Sequence, residues 1–322
     1  MPLESYRCGT GEWVPQRTSL PRISFVPTDP PPPPPPPPPD PDLGVPGNRP
    51  ALDTRPTAAD TGPRVSAVQS LSGSAAMAAV RSAPVEADGK KYLRRTNITG
   101  TTSMSDNGDT GIVFEDCTFT GGSTYVVNAF QAGIEPTNGP DFYPEFRYCE
   151  ISGGSSATII GGYSRFLRCN IHFGIDLVKA FEEGEFYGCY LHGNNHPSGA
   201  HCDTFQITTG AANLLIHWNN CLNFNADNSE TAAGQPGNGV LQTGTVTGPI
   251  GPVTWENNWF DGGGYTIRTG DSTNRQGNPV TYTFRNNRFG RGFRYGPLLG
   301  TMVGVDFDAS NVWDDTGLPV EA

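Results

Sequence analysis

FRYCEI at residues 146–151, FLRCNI at 166–171 and FYGCYL at 186–191 are one phrase written three times at a spacing of twenty residues. Each places an aromatic residue first, a cysteine fourth and an apolar residue last. The phrase continues in both directions, as LRRTNI at 93, FEDCTF at 114, WNNCLN at 218, WENNWF at 255, FRNNRF at 284 and FDASNV at 307. Successive starts are 21, 32, 20, 20, 32, 37, 29 and 23 residues apart. A minimum near twenty with irregular excess describes coils of constant cross-section that carry loops of variable length. The expected fold is therefore a single-stranded parallel β-helix of about nine coils over residues 93–315, roughly 43 Å tall at the usual strand spacing.

In this register Cys117, Cys149, Cys169, Cys189 and Cys221 hold one place in successive coils, and Asn258 and Asn287 take it over. A buried ladder of this kind needs small residues that pack on, or hydrogen-bond to, the copy above. Seven cysteines without a CxxC pair, in a chain whose N-terminus lacks a basic and apolar leader, point to free thiols and exclude a zinc site. A net charge of −11 with no gathered basic face excludes a nucleic-acid partner, and no apolar run is long enough to insert into a membrane. No cofactor is implied.

Upstream of the coils the composition changes. Residues 1–29 read as an irregular anchor segment with scattered apolar side chains at Trp13, Leu20, Ile23 and Phe25. Residues 30–63 form a proline-rich extended linker whose unbroken run, Pro30 to Pro39, is a stiff polyproline II rod roughly 31 Å long. Residues 64–92 form a capping segment, with an Ala-rich helix expected between Val65 and Arg81, and residues 316–322 are a C-terminal tail.

The register can be carried round the coil. DLVKA (176–180), DTFQI (203–207), GVLQT (239–243) and YTIRT (265–269) align, so Val178, Phe205, Leu241 and Ile267 point inward. Lys179, Gln206, Gln242 and Arg268 then point outward as a polar column. Val127 and Ile160 are expected to continue it as apolar positions toward one end, and Leu299 toward the other. Long excursions, HGNNHPSGA and NADNSETAAGQPGNG, rise beside it, which makes a groove suited to a hydroxyl-rich ligand. Asp176 and Asp203 hold matching places about 5 Å apart, close enough for each to raise the other's pKa and to divide acid and base work. His192, His196 and His201 are near in sequence. The competing reading is a solvated sheet face whose aspartates bond turn amides.

With GAHCDTFQI, NNWFDGGGYTI and FRNNRFGRGFRYGP, the coil phrase resembles right-handed parallel β-helix proteins of the pectate-lyase-like class, especially those of actinobacteria and their tailed phages, where they are minor tail components. Across residues 90–315 the resemblance implies an all-β, right-handed single-stranded parallel β-helix. It also implies a homotrimer in the phage tail of the virion, assembled in the bacterial host cytoplasm. Residues 1–29 would dock to other tail proteins, and the β-helix would bind host cell-wall polysaccharide through Lys179, Gln206, Gln242 and Arg268. The alternative is a glycan depolymerase, hydrolase or lyase, with Asp176, His201 and Asp203 as catalytic residues. The GHG segment of galacturonase-like relatives is absent and the one pair of adjacent aspartates, Asp314 and Asp315, lies at the C-terminal end, apart from Asp176 and Asp203; a calcium-binding aspartate cluster is absent as well, and Arg268 is the candidate for the base of lyase chemistry.

Overall fold

The computed structural model describes residues 43, 49–104, 109–129, 139–180, 182–197, 200–207, 210–224, 238–244, 248–270 and 277–321. The expected anchor (1–29) and proline run (30–39) lie outside them. The described residues form a parallel β-helix built from three sheets, each wholly parallel. The first has nine strands, from Lys91–Arg94 to Val305–Phe307. The second has ten, from Gln69–Ser72 to Val312–Trp313, and the third has eight, from Thr102–Ser103 to Gly296–Gly300. Each coil visits the three sheets in that order.

One residue makes the bend from the first sheet to the second. Arg95, Asp116, Tyr148, Arg168, Gly188, Trp218, Asn257 and Asn286 all adopt positive φ, between 50° and 60°. Seven of the eight are not glycine, so the bend carries local strain of about 1 kcal/mol or more each time. From Cys117 onward the next residue in the coil offsets it. Cys117, Cys149, Cys169 and Cys189 donate from Sγ to the carbonyls of Leu93, Phe114, Phe146 and Phe166, each on the preceding coil, at 3.2–3.4 Å. Asn219, Asn258 and Asn287 do the same from Nδ2, to Phe186, Ile216 and Trp255. The amides also bond upward, since Asn258 Oδ1 accepts from both Nδ2 and the backbone N–H of Asn219.

This ladder corrects the sequence register at one coil. Cys221 pairs with Leu191, and its place in the ladder belongs to Asn219, whose Oδ1 accepts from the Cys189 amide at 2.8 Å. The coil phrase is therefore IHWNNC from Ile216, with Ile216 over Phe186 and under Trp255. Trp218 resembles the inward aromatic of other coils but occupies the bend. Cys221 is fully buried all the same, in the inward column that continues to Phe260. A second correction concerns the outward column, where Asn128, and not Val127, pairs with Ile160. Val127 is fully buried beside Ile159.

The core between the sheets is stacked aromatic and aliphatic. Phe114, Phe146, Phe166 and Phe186 lie face to face at centroid distances of 5.2, 4.7 and 4.8 Å, each pair adding about 0.5–1.5 kcal/mol beyond its buried area. Burial pushes the thiols of Cys149, Cys189 and Cys221 well above the ordinary range, so they pack as small apolar groups.

The helix, Gly73–Ser82, starts later than its Ala-rich pattern predicts. The residues before it, Gln69–Ser72, pair with Thr96–Thr99, and Ser72 caps the helix by accepting from the Ala75 amide. Ala76, Met77 and Val80 close the first coil. A Cβ at Gly73 would sit 2.1 Å from the Thr101 carbonyl oxygen, so only glycine allows this approach.

Residues 49–64 run along the outside of the bend column. Arg49 grips Glu185 through Nε and Nη2 at 2.9 and 2.6 Å, Tyr187 Oη donates to the Pro50 carbonyl, and Asn220 exchanges bonds with Arg55 and Pro56. The segment then doubles back, with Gly62 bonded to Arg168 and Arg64 to Asp116. His217 and Arg49 together hold the largely buried Glu185 carboxyl down to about 2 against the desolvation that would raise it. At the other end the tail returns onto the last coil, where Val320 is buried and its amide bonds the Asn311 carbonyl.

The ladder sets an expected difference between its two halves. Asn258→Ala strands the Asn219 amide and the Ile216 carbonyl, each buried group costing about 1–3 kcal/mol, whereas Cys169→Ala removes one weak donor and costs about 1 kcal/mol. Denaturant midpoints of the two variants check this, and Asn258→Ala should fall well below Cys169→Ala.

Candidate functional site

Lys179, Gln206, Gln242, Arg268 and Leu299 follow one another in register on the third sheet, with Ile160 before them. Their inward neighbours Val178, Phe205, Leu241 and Ile267 are fully buried, as the alternation requires. The four polar residues do not present themselves alike. Lys179, Gln206 and Arg268 are partly exposed, but Gln242 is 7% exposed and its Nε2 donates to the Thr243 carbonyl at 2.5 Å. Gln242 therefore keeps its place in the register but adds almost nothing to the column's surface.

Asp176 and Asp203 begin adjacent strands of this sheet, and the Asp203 amide donates to Asp176 Oδ1 at 2.9 Å. Lys179 Nζ lies 3.1 Å from Asp176 Oδ2 and also donates to Ser156 Oγ. Asp203 is fully buried, with Gln206 Nε2 3.5 Å from its Oδ2 and no hydrogen-bond partner for Oδ1 among the described residues. Burial, followed by the neighbouring Asp176 charge, pushes the Asp203 carboxyl well above its ordinary range. Burial raises Asp176 as well, against the opposing pull of Lys179. The pair therefore retains a proton well above the pH at which a free carboxyl loses it.

Around the pair sit groups that fix it. Asn194 donates from Nδ2 to the carbonyls of Ile175 and Asp203, clamping the two coils together. Cys202 lies beside both carboxylates, and burial with their charges pushes its thiol up to about 12, which removes it as a nucleophile. His201 is exposed and bonded through Nδ1 to Asn238 Oδ1 at 2.9 Å. Arg268 Nη1 donates to the same oxygen at 2.9 Å.

Of the three histidines near in sequence, His201 is tied to the site, through Asn238. His192 lies on the second sheet, bonded to Asn170 and stacked between His172 and Tyr190. His196 is half-buried toward the Phe224 backbone, and burial lowers it. The excursions thought to wall the groove fall in part outside the described residues, at 198–199 and 225–237.

Sequence reasoning missed two members. Asn238 ends a long insertion and carried no periodic signal. Tyr265 was legible: the alignment that matches Asp176 with Asp203 puts Gly239 and Tyr265 next, and the structure pairs Asp203 with Gly239 and Tyr265 with Gly296. Its ring meets that of Tyr295, 58% exposed, at a centroid distance of 5.5 Å, so an aromatic surface adjoins the Arg268 end of the column.

A pocket of about 120 Å³ lies on the first sheet beside Tyr143, Arg165, Glu183 and Glu185. Its carboxylates are already engaged, Glu183 by Tyr143 and Asn213 and Glu185 by Arg49 and His217. The chemistry therefore points to the third sheet. Among the described residues no helix is long and apolar enough to cross a membrane, and no group of three or more His, Cys, Asp or Glu could hold a metal ion.

Fold and site together define a parallel β-helix protein with an ordered polar column and a buried acidic pair. No family model, curated protein or solved structure matches the chain.

The raised Asp203 carboxyl gives a signed expectation. A folded-state value above the unfolded one, near 3.8, favours the folded state at low pH, and that contribution is lost as pH rises through the folded value. Asp203→Asn, which never ionises, should raise the thermal midpoint relative to the parent at about pH 8 and lose that advantage near pH 4. Thermal melts of both proteins across this range measure it.

Proposed function

We propose that this protein binds a cell-surface glycan along its third sheet, as a tailspike-like minor tail protein of a bacteriophage whose N-terminus docks to the tail. The observation that carries the binding is the in-register column, where Lys179 and Gln206 offer donors one coil apart and Arg268 a third donor two coils beyond Gln206, beside Tyr265 and Tyr295. Donors at one-coil and two-coil intervals, about 5 and about 10 Å, suit hydroxyls along an extended saccharide, and sugar rings pack on tyrosine faces. Attachment to a virion and homotrimer formation rest on the family resemblance and on the order of segments, an N-terminal segment with scattered apolar side chains and a proline run ahead of the β-helix. The host cell-wall polysaccharide is the proposed ligand.

A second reading has its own observation. Asp176 and Asp203 form an adjacent pair with raised pKa values next to His201, the arrangement a polysaccharide hydrolase or lyase needs to protonate a leaving group while a second group activates water or abstracts a proton.

Both readings are tested on purified host cell-wall polysaccharide. Combining Gln206→Ala with Arg268→Ala should weaken binding about tenfold or more, given roughly 0.5–1.5 kcal/mol for a neutral hydrogen bond and more for a charged one. Its thermal midpoint should stay close to the parent's, because these side chains lie outside the core. Unchanged affinity would move the binding surface elsewhere. If the parent releases new reducing ends or unsaturated sugars and Asp203→Asn binds without releasing them, the protein is a depolymerase; release of neither by the parent leaves it an adhesin.

A further inference from the structure

Asn238 is held as firmly as any residue of the site. It stands at the entry to the strand Gly239–Thr243, where its amide donates to the Cys202 carbonyl at 2.9 Å and its carbonyl accepts from Tyr265 at 3.1 Å. Its backbone is thus fixed between the coil of the acidic pair and the coil of Arg268.

The identity of its amide atoms follows from its partners. A guanidinium can only donate, so the atom 2.9 Å from Arg268 Nη1 is the amide oxygen. The amide nitrogen accordingly turns to the Asp203 carboxylate, whose charged form it favours. The same oxygen lies 2.9 Å from His201 Nδ1. An amide oxygen carries no proton, so this contact is a hydrogen bond only when Nδ1 supplies one.

We infer that Asn238 is a positioning residue that locks neutral His201 in the Nδ1–H tautomer, leaving Nε2 as the imidazole's proton acceptor at the polar column. The consequence for ligand binding rests on the glycan reading above: Nε2 accepts from a saccharide hydroxyl, while Arg268, Lys179 and Gln206 donate. The site then offers acceptor and donors together, which a sugar hydroxyl satisfies in both directions. An unconstrained imidazole favours the opposite tautomer, so the preference belongs to the site and not to histidine.

The tautomer can be read without any ligand. The chain has five histidines, so ¹⁵N-histidine labelling with a His201→Gln spectrum for assignment isolates the signal at about pH 8.5, where an ordinary imidazole is neutral. His201 should show a protonated Nδ1 and an unprotonated Nε2. Asn238→Ala should shift it to the Nε2–H form, and Asn238→Asp, whose carboxylate also accepts, should keep the parent pattern. Unmoved signals from His172 and His217, each bonded to a glutamate on other sheets, report that the variants remain folded. A parent spectrum in the Nε2–H form, or one that Asn238→Ala leaves unchanged in a folded protein, overturns the inference. A tautomer switch as expected, in a protein that binds no polysaccharide, supports the inference and counts only against the glycan reading.

Discussion

From Cys117 onward, every coil depends on one interior hydrogen bond, from the residue after the bend to the carbonyl of the inward residue one coil back. A thiol makes it in the first half of the column, from Cys117 to Cys189, and a carboxamide in the second, from Asn219 to Asn311. The bond holds a left-handed residue that is rarely glycine in a conformation it would otherwise leave. It also prevents slippage between coils, because a shift of one residue would expose each inward aromatic and bury a polar neighbour. The change from sulfur to amide strengthens the ladder, since each asparagine bonds to both neighbours where a cysteine donates once.

The outside of the same bend is covered. Residues 49–64 lie across coils from Asp116 to Asn220, and ionic contacts at Arg49 and Arg64 tie them to carboxylates that few waters reach. Removing one partner from such a pair is costly because the other charge stays buried. The described part of the proline-rich linker is therefore bound to the body along the edge between the first and second sheets.

Much of this was legible in the chain and some was not, for reasons that differ by residue. The phrase around Cys149, Cys169 and Cys189 has no insertion, so its period gave the fold class and the outward places of Lys179, Gln206 and Arg268. Cys221 misled because cysteine suits both the ladder and the adjacent inward column, and Trp218 imitates an inward aromatic while sitting in the bend. Val127 and Asn128 were confused because TYVVNA offers two inward-compatible registers, and only pairing with Ile160 decides between them. Gln242 faces outward as alternation demands, yet it is buried in the fold, and burial of that kind is a tertiary property. The acidic pair was found by register alone, whereas Asn238, which orders His201 and Arg268 beside it, follows an insertion with no period to read.

Register across the coils of the site is the claim on which the rest stands, and a disulfide tests it directly. Cα atoms on adjacent parallel strands lie about 5 Å apart, within the span a disulfide bridges, and two coils apart they do not. Lys179→Cys combined with Gln206→Cys should close on mild oxidation, whereas Lys179→Cys combined with Gln242→Cys should stay reduced, with peptide mapping of the unreduced protein as the readout. Closure of the 179–242 pair with an open 179–206 pair would contradict the register, and with it the polar column and the acidic pair.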